Sequence, residues 1–258
     1  MRPITCAAVL ILALGLSAGW TQNAARAEDP AVKLASLDWP PFSGETLDGQ
    51  GTNTKLVKAA FKSVGYSVSV EFFPWSRTVY MARHNPAFIG YFPEYHAASV
   101  AGNFIFSESI GKSPIGFVER VSAPVVWNTL DDLRGLTIGT VQDYVNTEEF
   151  DRMAAAGELK VELAKNDLTN VRKVLGGRIP LAVIDKNVLD YLLATVPDLT
   201  AKRSALQFNK KQLEDKDLYV CFRKGQEGEK MVKIFNEGLK KIKAEKIGQG
   251  ESARPVQP

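Results

Sequence analysis

Three aromatic clusters beside prolines are the part of this chain best suited to chemistry. Trp39 and Phe42 flank Pro40-Pro41, Trp75 follows Pro74, and Tyr91, Phe92 and Tyr95 surround Pro93. Each cluster falls just after a strand-like run, where open α/β sheets place their ligand crevices. Aromatic faces stack on planar groups and attract cations, although such residues also serve as ordinary core. Trp39 is the strongest candidate, because the adjoining prolines hold it in a loop. Catalytic signatures are sparse by comparison. There is no G-x-S-x-G elbow, no phosphate-cradling glycine loop and no H-E-x-x-H. His84 and His96 are the only histidines, and neither has metal-ligand spacing. In Glu94-Tyr95-His96, either Glu94 or His96 is a candidate acid or base, but no positioned partner is evident. Cys221 lies inside the apolar run Leu218–Phe222 and reads as an inert core thiol.

Compartment and charge narrow the classes further. Arg2, the apolar run Cys6–Leu16 and the small residues of Ala25-Arg26-Ala27 form the layout of a cleaved secretory signal. The apolar run is too short to cross ~30 Å of hydrocarbon. Cleavage after Ala27 removes Arg2 and Arg26, leaving 30 basic against 29 acidic residues, a net charge of +1. That balance argues against a nucleic-acid partner or a polybasic membrane patch. Cys6 leaves with the signal, so Cys221 has no disulfide partner and burial must supply the stability.

The elements that position these residues alternate between strand and helix. Val32, Leu34 and Leu37 begin a strand that ends at Asp38-Trp39-Pro40-Pro41, since prolines cannot continue a ladder. Leu56 to Val64 has helical spacing and stops at Gly65; Val68, Val70 and Phe72 alternate as a strand. The pattern predicts a helix over 75–83 and a strand over 88–92. Thr129 with Asp132 resembles a capping box before a short helix ending at Gly135. Strands follow at 136–140, 159–163, 181–184 and 218–222. Helices follow at 145–155, after a cap at Asp167, at 186–194, and along the face Met231, Phe235, Leu239, Ile242. This alternation implies a mainly parallel sheet covered by helices.

Several segments, taken in order, resemble the family 3 extracellular solute-binding proteins, the receptors of polar amino-acid ABC importers. Asp38-Trp39-Pro40-Pro41-Phe42-Ser43-Gly44 is similar to that family's opening, and Phe106-Ser107-Glu108-Ser109-Ile110 to its approach to the crossing between lobes. Leu130 to Gly139 is similar to the start of its second lobe, and Gly177-Arg178, Asp185 and Leu218–Lys224 to later landmarks. The resemblance spans Val32 to about Ile242. It implies that Trp39 stacks on a ligand and that Asp185 pairs with an amino group. It also implies that the segment Thr140–Tyr144 offers backbone N–H groups at a helix start. Two departures stand out. Members usually carry an arginine shortly before the Phe-Ser step to fork onto a carboxylate, and none occurs between His84 and Glu119. Asp143 and Tyr144 stand where a Gly and a Ser or Thr are usual. Arg77 is a candidate substitute, with a solvated helix position as the equal alternative. Asp143, Asp185 and Glu94 beside aromatics suit a cationic ligand.

The expected fold is therefore a two-lobed α/β periplasmic-binding-protein-like fold of type II, hinged on two crossing strands. Residues 1–27 would be the signal, 28–117 plus 214–247 the first lobe, 118–213 the second, and 248–258 a disordered tail. The expected function is capture of a small polar solute by lobe closure in the periplasm, with delivery to an ABC-transporter membrane permease. No catalytic role, metal, cofactor or nucleic-acid partner is expected, and the chain should be monomeric. The alternatives are a dehydratase-like enzyme on the same scaffold and a ligand-presenting sensory protein. Candidate ligand contacts are Trp39, Phe42, Trp75, Arg77, Tyr91, Glu94, Tyr95, Asp143, Tyr144 and Asp185.

Overall fold

The computed structural model describes residues 29–248. The expected signal segment and the tail beyond Gly248 lie outside the described residues. The chain begins with β1 (Ala31–Ser36), α1 (Thr52–Lys62), β2 (Ser67–Phe72), α2 (Trp75–His84) and β3 (Gly90–Tyr95). A short α3 (Ala98–Ala101), β4 (Phe104–Phe106) and the long β5 (Gly111–Arg120) follow. The middle of the chain forms β6 (Thr137–Val141), α4 (Glu148–Ala155), β7 (Lys160–Ala164), α5 (Asp167–Leu175) and β8 (Leu181–Asp185). It ends with α6 (Lys186–Thr195), α7 (Pro197–Thr200), β9 (Leu206–Phe208), β10 (Glu214–Arg223) and α8 (Gln226–Gly248).

The strands run in the order β2-β1-β3-β10-β5-β8-β6-β7, with β4 beside β10 and β9 beside β5. Each half is the same device: β2-β1-β3 and β7-β6-β8 are parallel triplets, and each is flanked by one antiparallel strand. Those flanking strands, β10 and β5, pair with each other from Glu214↔Ile115 to Leu218↔Gly111. They join the two halves of the sheet. In both halves the turns after the first and third parallel strands open toward the same region, which is where the site lies.

Local sequence explains most of the elements. Every residue of β3 and β8 is buried, as central parallel strands require, while β2 alternates exposed and half-buried at the sheet edge. Helix α8 packs on α1 through Phe235 and Phe61, whose rings lie 5.1 Å apart. Gly238 permits this approach, because a Cβ there would meet the Ala60 carbonyl oxygen at 2.1 Å.

Three expectations need correction. The strand expected over 88–92 instead runs through Pro93 to Tyr95; an extra residue in β3, opposite the step from Cys221 to Tyr219, absorbs the proline. The helix expected from Val145 starts only at Glu148, where Thr147 accepts a hydrogen bond from the Phe150 N–H. The short helix expected after Thr129 is present as a 3-10 helix over Leu130–Leu133 with its capping box formed, the Asp132 carboxylate taking the Thr129 N–H at 2.9 Å. Finally, Asn166 and not Asp167 caps α5, by accepting the Thr169 N–H at 3.0 Å. That change frees Asp167 for another role.

Candidate functional site

The loop after β1 fixes the first wall. Trp39 N–H donates to the Ser43 carbonyl at 2.8 Å and the Ser43 hydroxyl to the Leu37 carbonyl at 2.9 Å, folding Pro40-Pro41 into a tight turn. Trp39 then lies 4.7 Å from Phe42 and edge-on to Tyr95 at 6.1 Å. Phe42 backs Trp39 and is not among the residues lining the two small ring-lined cavities, so it supports the wall without forming it. Trp75 opens α2 behind Pro74 and meets Tyr91 and Tyr144 edge-on, each at 5.6 Å. Trp39, Trp75, Tyr95 and Tyr144 line one small cavity; Trp39, Tyr95 and Tyr144 line a second.

Charge is concentrated behind these rings. Glu94, Asp167 and Asp185 are buried, and Lys216 is the only buried cation among the described residues. Burial pushes Glu94 up to about 7, against the opposing pull of the Tyr91 hydroxyl, the Tyr95 N–H and Lys216. Its oxygens accept the Tyr91 hydroxyl at 2.9 Å and the Tyr95 N–H at 2.7 Å. Asp167 also rises to about 7, through burial and the nearby Asp185 charge. The Trp39 indole N–H lies close enough to favour the charged Asp167. It falls short of hydrogen-bond geometry, however, and stays buried without a partner. Asp185 rises to about 6 by burial, offset by Ser113 and by the N–H groups at the start of α6. One of its oxygens caps α6 through the Val188 N–H at 2.9 Å; the other takes the Ser113 hydroxyl. Ser113 in turn meets the Tyr95 hydroxyl at 2.6 Å. Three acids with one lysine leave a site that favours positive charge.

The two halves are held together across this site. The Trp75 indole donates to the Asp143 carbonyl at 2.8 Å, and Ser76 donates to the Asp143 carboxylate. Lys216 donates to the Asn146 carbonyl at 2.8 Å and lies over the Tyr95 ring at 5.2 Å. Asp143 itself is exposed and adopts φ 61°, a left-handed conformation. The two ring-lined cavities measure only about 20 and 10 Å³. Each has room for roughly one water molecule, so a solute the size of an amino acid fits only when the halves part.

The structure thus brings together Trp39, Trp75, Tyr91, Glu94, Tyr95, Tyr144 and Asp185. Asp143 joins them as a bridge between halves. Arg77 does not: it is exposed on α2, over the Phe73 ring at 5.3 Å. His96 is exposed and stacks on Phe106 at 4.6 Å, and no carboxylate orients it among the described residues. Cys221 is fully buried, which pushes its thiol well above its usual range. Sequence reasoning missed Asp167, Lys216 and Ser113. Asp167 and Lys216 were concealed as a helix cap and as one charge in a charged run.

Comparison with known proteins supports the architecture. Neither a protein-family model nor a curated protein sequence matches the chain. Solved structures do match. A histidine kinase sensor domain with similarity to periplasmic binding proteins superposes with TM-score 0.74 at 18% identity, covering 88% of this chain and 95% of that one. An ancestral arginine-binding protein bound to arginine gives TM-score 0.70 at 16% identity, with 84% and 94% covered. The GluR0 ligand-binding core from Nostoc punctiforme in complex with L-glutamate gives 0.67 at 15%, with 85% and 96% covered. The fold is that of the two-lobed periplasmic binding proteins.

Proposed function

We propose that this chain is an exported solute-binding protein that captures a small polar solute with a cationic or amine group. Delivery is to the membrane permease of an ABC importer. The carrying observation is the set of three buried carboxyls behind four aromatic rings, with Lys216 the only buried counter-charge among the described residues, between the facing halves of the sheet. The lobes would be 28–117 plus 214–247 and 118–213; this division fits the positions of β5 and β10, whose pairing is the hinge. The fold's relatives include an arginine-bound protein and the substrate-binding protein of an amino acid ABC transporter. The N-terminal signal read from residues 1–27 supports a periplasmic location, where the chain would act as a monomer. No helix of the described residues is long and apolar enough to cross a membrane.

A thermal-shift screen of amino acids, amines and small organic acids tests this reading. At about 100 times its dissociation constant, a ligand adds about 2.7 kcal/mol of stability. Amine-bearing compounds should give the largest shifts; a plain dicarboxylate as the best ligand would overturn the reading. The likeness to a histidine kinase sensor domain is compatible with a second role, in which the loaded protein is presented to a signalling receptor. Solute uptake and solute-induced transcription, measured in a strain lacking this protein, separate the two: loss of uptake marks an importer, loss of response alone marks a sensor.

A further inference from the structure

Of the four exposed large apolar side chains among the described residues, two sit in the single turn Val121–Val126. Val126 is 88% and Val121 46% exposed, and Ala123 and Pro124 between them are exposed too. The turn is built to hold that display. The buried Glu119 carboxylate takes the Val125 N–H at 2.8 Å, and the Asn209 amide donates to the Val125 carbonyl at 2.8 Å. Val125 is thus tied down on both sides while its neighbour Val126 is left in solvent. Positive charge frames the same turn. No acid occurs between Glu119 and Asp131, or between Asp198 and Glu214, and the second stretch carries Lys202, Arg203, Lys210 and Lys211, all exposed. The Val121 N–H donates to the Ala205 carbonyl at 3.0 Å, and Lys211 lies over the Trp127 ring at 4.8 Å, so both ends of the turn meet that stretch. None of the four cations forms a salt bridge among the described residues. Of the acids beside them, Asp198 is paired with Arg172, and Asp132 accepts the Asn128 and Thr129 N–H groups. The register of β5 on β8, with Ile115 opposite Asp185 and Glu119 opposite Leu181, sets this turn at the end of its half away from Asp185.

We propose that this turn docks on an anionic membrane surface, with Val121 and Val126 entering the bilayer and Lys202, Arg203, Lys210 and Lys211 holding its phosphate headgroups. An apolar tip inside a cationic collar matches the layering of such a surface, hydrocarbon beneath phosphate. A protein partner fits less well, because so short a turn falls far below the ~800 Å² that each side of a stable interface buries. Each Lys or Arg close to an anionic surface is worth about fivefold in partitioning, and salt screens it. Docking by this end leaves the cleft uncovered, so the proposal does not depend on which solute the cleft holds.

Vesicle flotation tests this with the chain from Glu28 onward, which holds every described residue and lacks the apolar run Cys6–Leu16. At about 50 mM salt, partitioning onto vesicles of about one-third phosphatidylglycerol should exceed that onto pure phosphatidylcholine at least about tenfold, and about 500 mM salt should abolish the difference. The triple variant Lys202→Gln, Arg203→Gln, Lys210→Gln should lower partitioning at least about tenfold, and Val126→Asp at least about threefold. A matched triple on α8, Lys230→Gln, Lys233→Gln, Lys240→Gln, removes equal charge elsewhere and should change it less than about twofold. All of these side chains are exposed, so each variant should melt within about 2 °C of the parent. Equal binding to both kinds of vesicle, an equal loss in the α8 variant, or indifference to Val126→Asp would overturn the assignment. So would an absence of vesicle binding, or self-association that Val126→Asp abolishes, either of which would leave the turn as a face for protein.

Discussion

Asp185 has two duties that a single substitution separates. As the cap of α6 it accepts the Val188 N–H, a role that asparagine fills about as well. As a buried carboxylate it contributes the negative charge that a cation would meet. Asp185→Asn should therefore fold normally, since removing an acid that resists ionisation costs little. It should nevertheless weaken an amine-bearing solute at least tenfold, within the ~2–5 kcal/mol found for breaking a buried charge pair. Unchanged affinity in calorimetry would reduce Asp185 to a cap. The same burial makes stability depend on pH in a definite direction. Glu94, Asp167 and Asp185 titrate near 7, 7 and 6 in the folded state, above the ~4 expected for an unfolded chain. The folded state therefore holds more protons between those values, and its stability is lost as pH rises through them. The melting temperature of the unliganded protein should fall by about 3 °C or more between pH 5 and pH 8. A flat or rising profile would mean that these carboxyls are not buried as described.

Elements set how these residues meet, and two of them make separable predictions. Trp75→Phe keeps the aromatic wall but leaves the Asp143 carbonyl without its indole donor. A loss of about 1 kcal/mol, or roughly 2–4 °C in melting, is expected, together with a more open unliganded particle. No change in melting or in scattering would remove this contact from the forces holding the halves together. At the other end of the first lobe, Gly238→Ala reverses a familiar rule. Alanine normally strengthens a helix interior by about 1 kcal/mol. Here its Cβ would overlap the Ala60 carbonyl, so α8 should lose about 1–3 kcal/mol of docking instead. Denaturant unfolding reads this directly, and a stabilised variant would contradict the packing described.

Much of this scaffold is legible in the sequence because apolar periodicity and end signals agree. The alternation of β2, the Phe61 face of α1 and the final helix are examples. What escapes is what periodicity cannot express. The crossing portion of β10 is spelled Glu214-Asp215-Lys216-Asp217, which reads as a solvated charge run, yet Lys216 is buried in the cleft. Asp167 follows Asn166 at a helix start, and only the three-dimensional turn decides which of the two caps and which points into the site.

At the scale of the whole molecule, the collapsed cleft implies that binding is a change of shape. Cavities of about 20 and 10 Å³ cannot admit the cationic end of a solute behind the rings, so α2 and the Asp143 turn must separate before it reaches Asp185. Under the proposed hinge, closure about the paired β5 and β10 would restore the bridging contacts. Small-angle scattering should detect two populations without solute and one compact population with it; an unchanged profile on saturation would remove the hinge. The proposed capture of positive charge by buried acids has a proton signature of its own. Carboxyls that titrate near 6–7 when unliganded must ionise to pair with a cation, so binding near pH 6.5 should release protons. Calorimetric titration of the best amine-bearing solute, at pH 6.5 in two buffers of different ionisation enthalpy, measures that release. Release of about one proton, with affinity rising from pH 6 to pH 8, is the predicted result; proton uptake, or affinity that falls over that range, would contradict it.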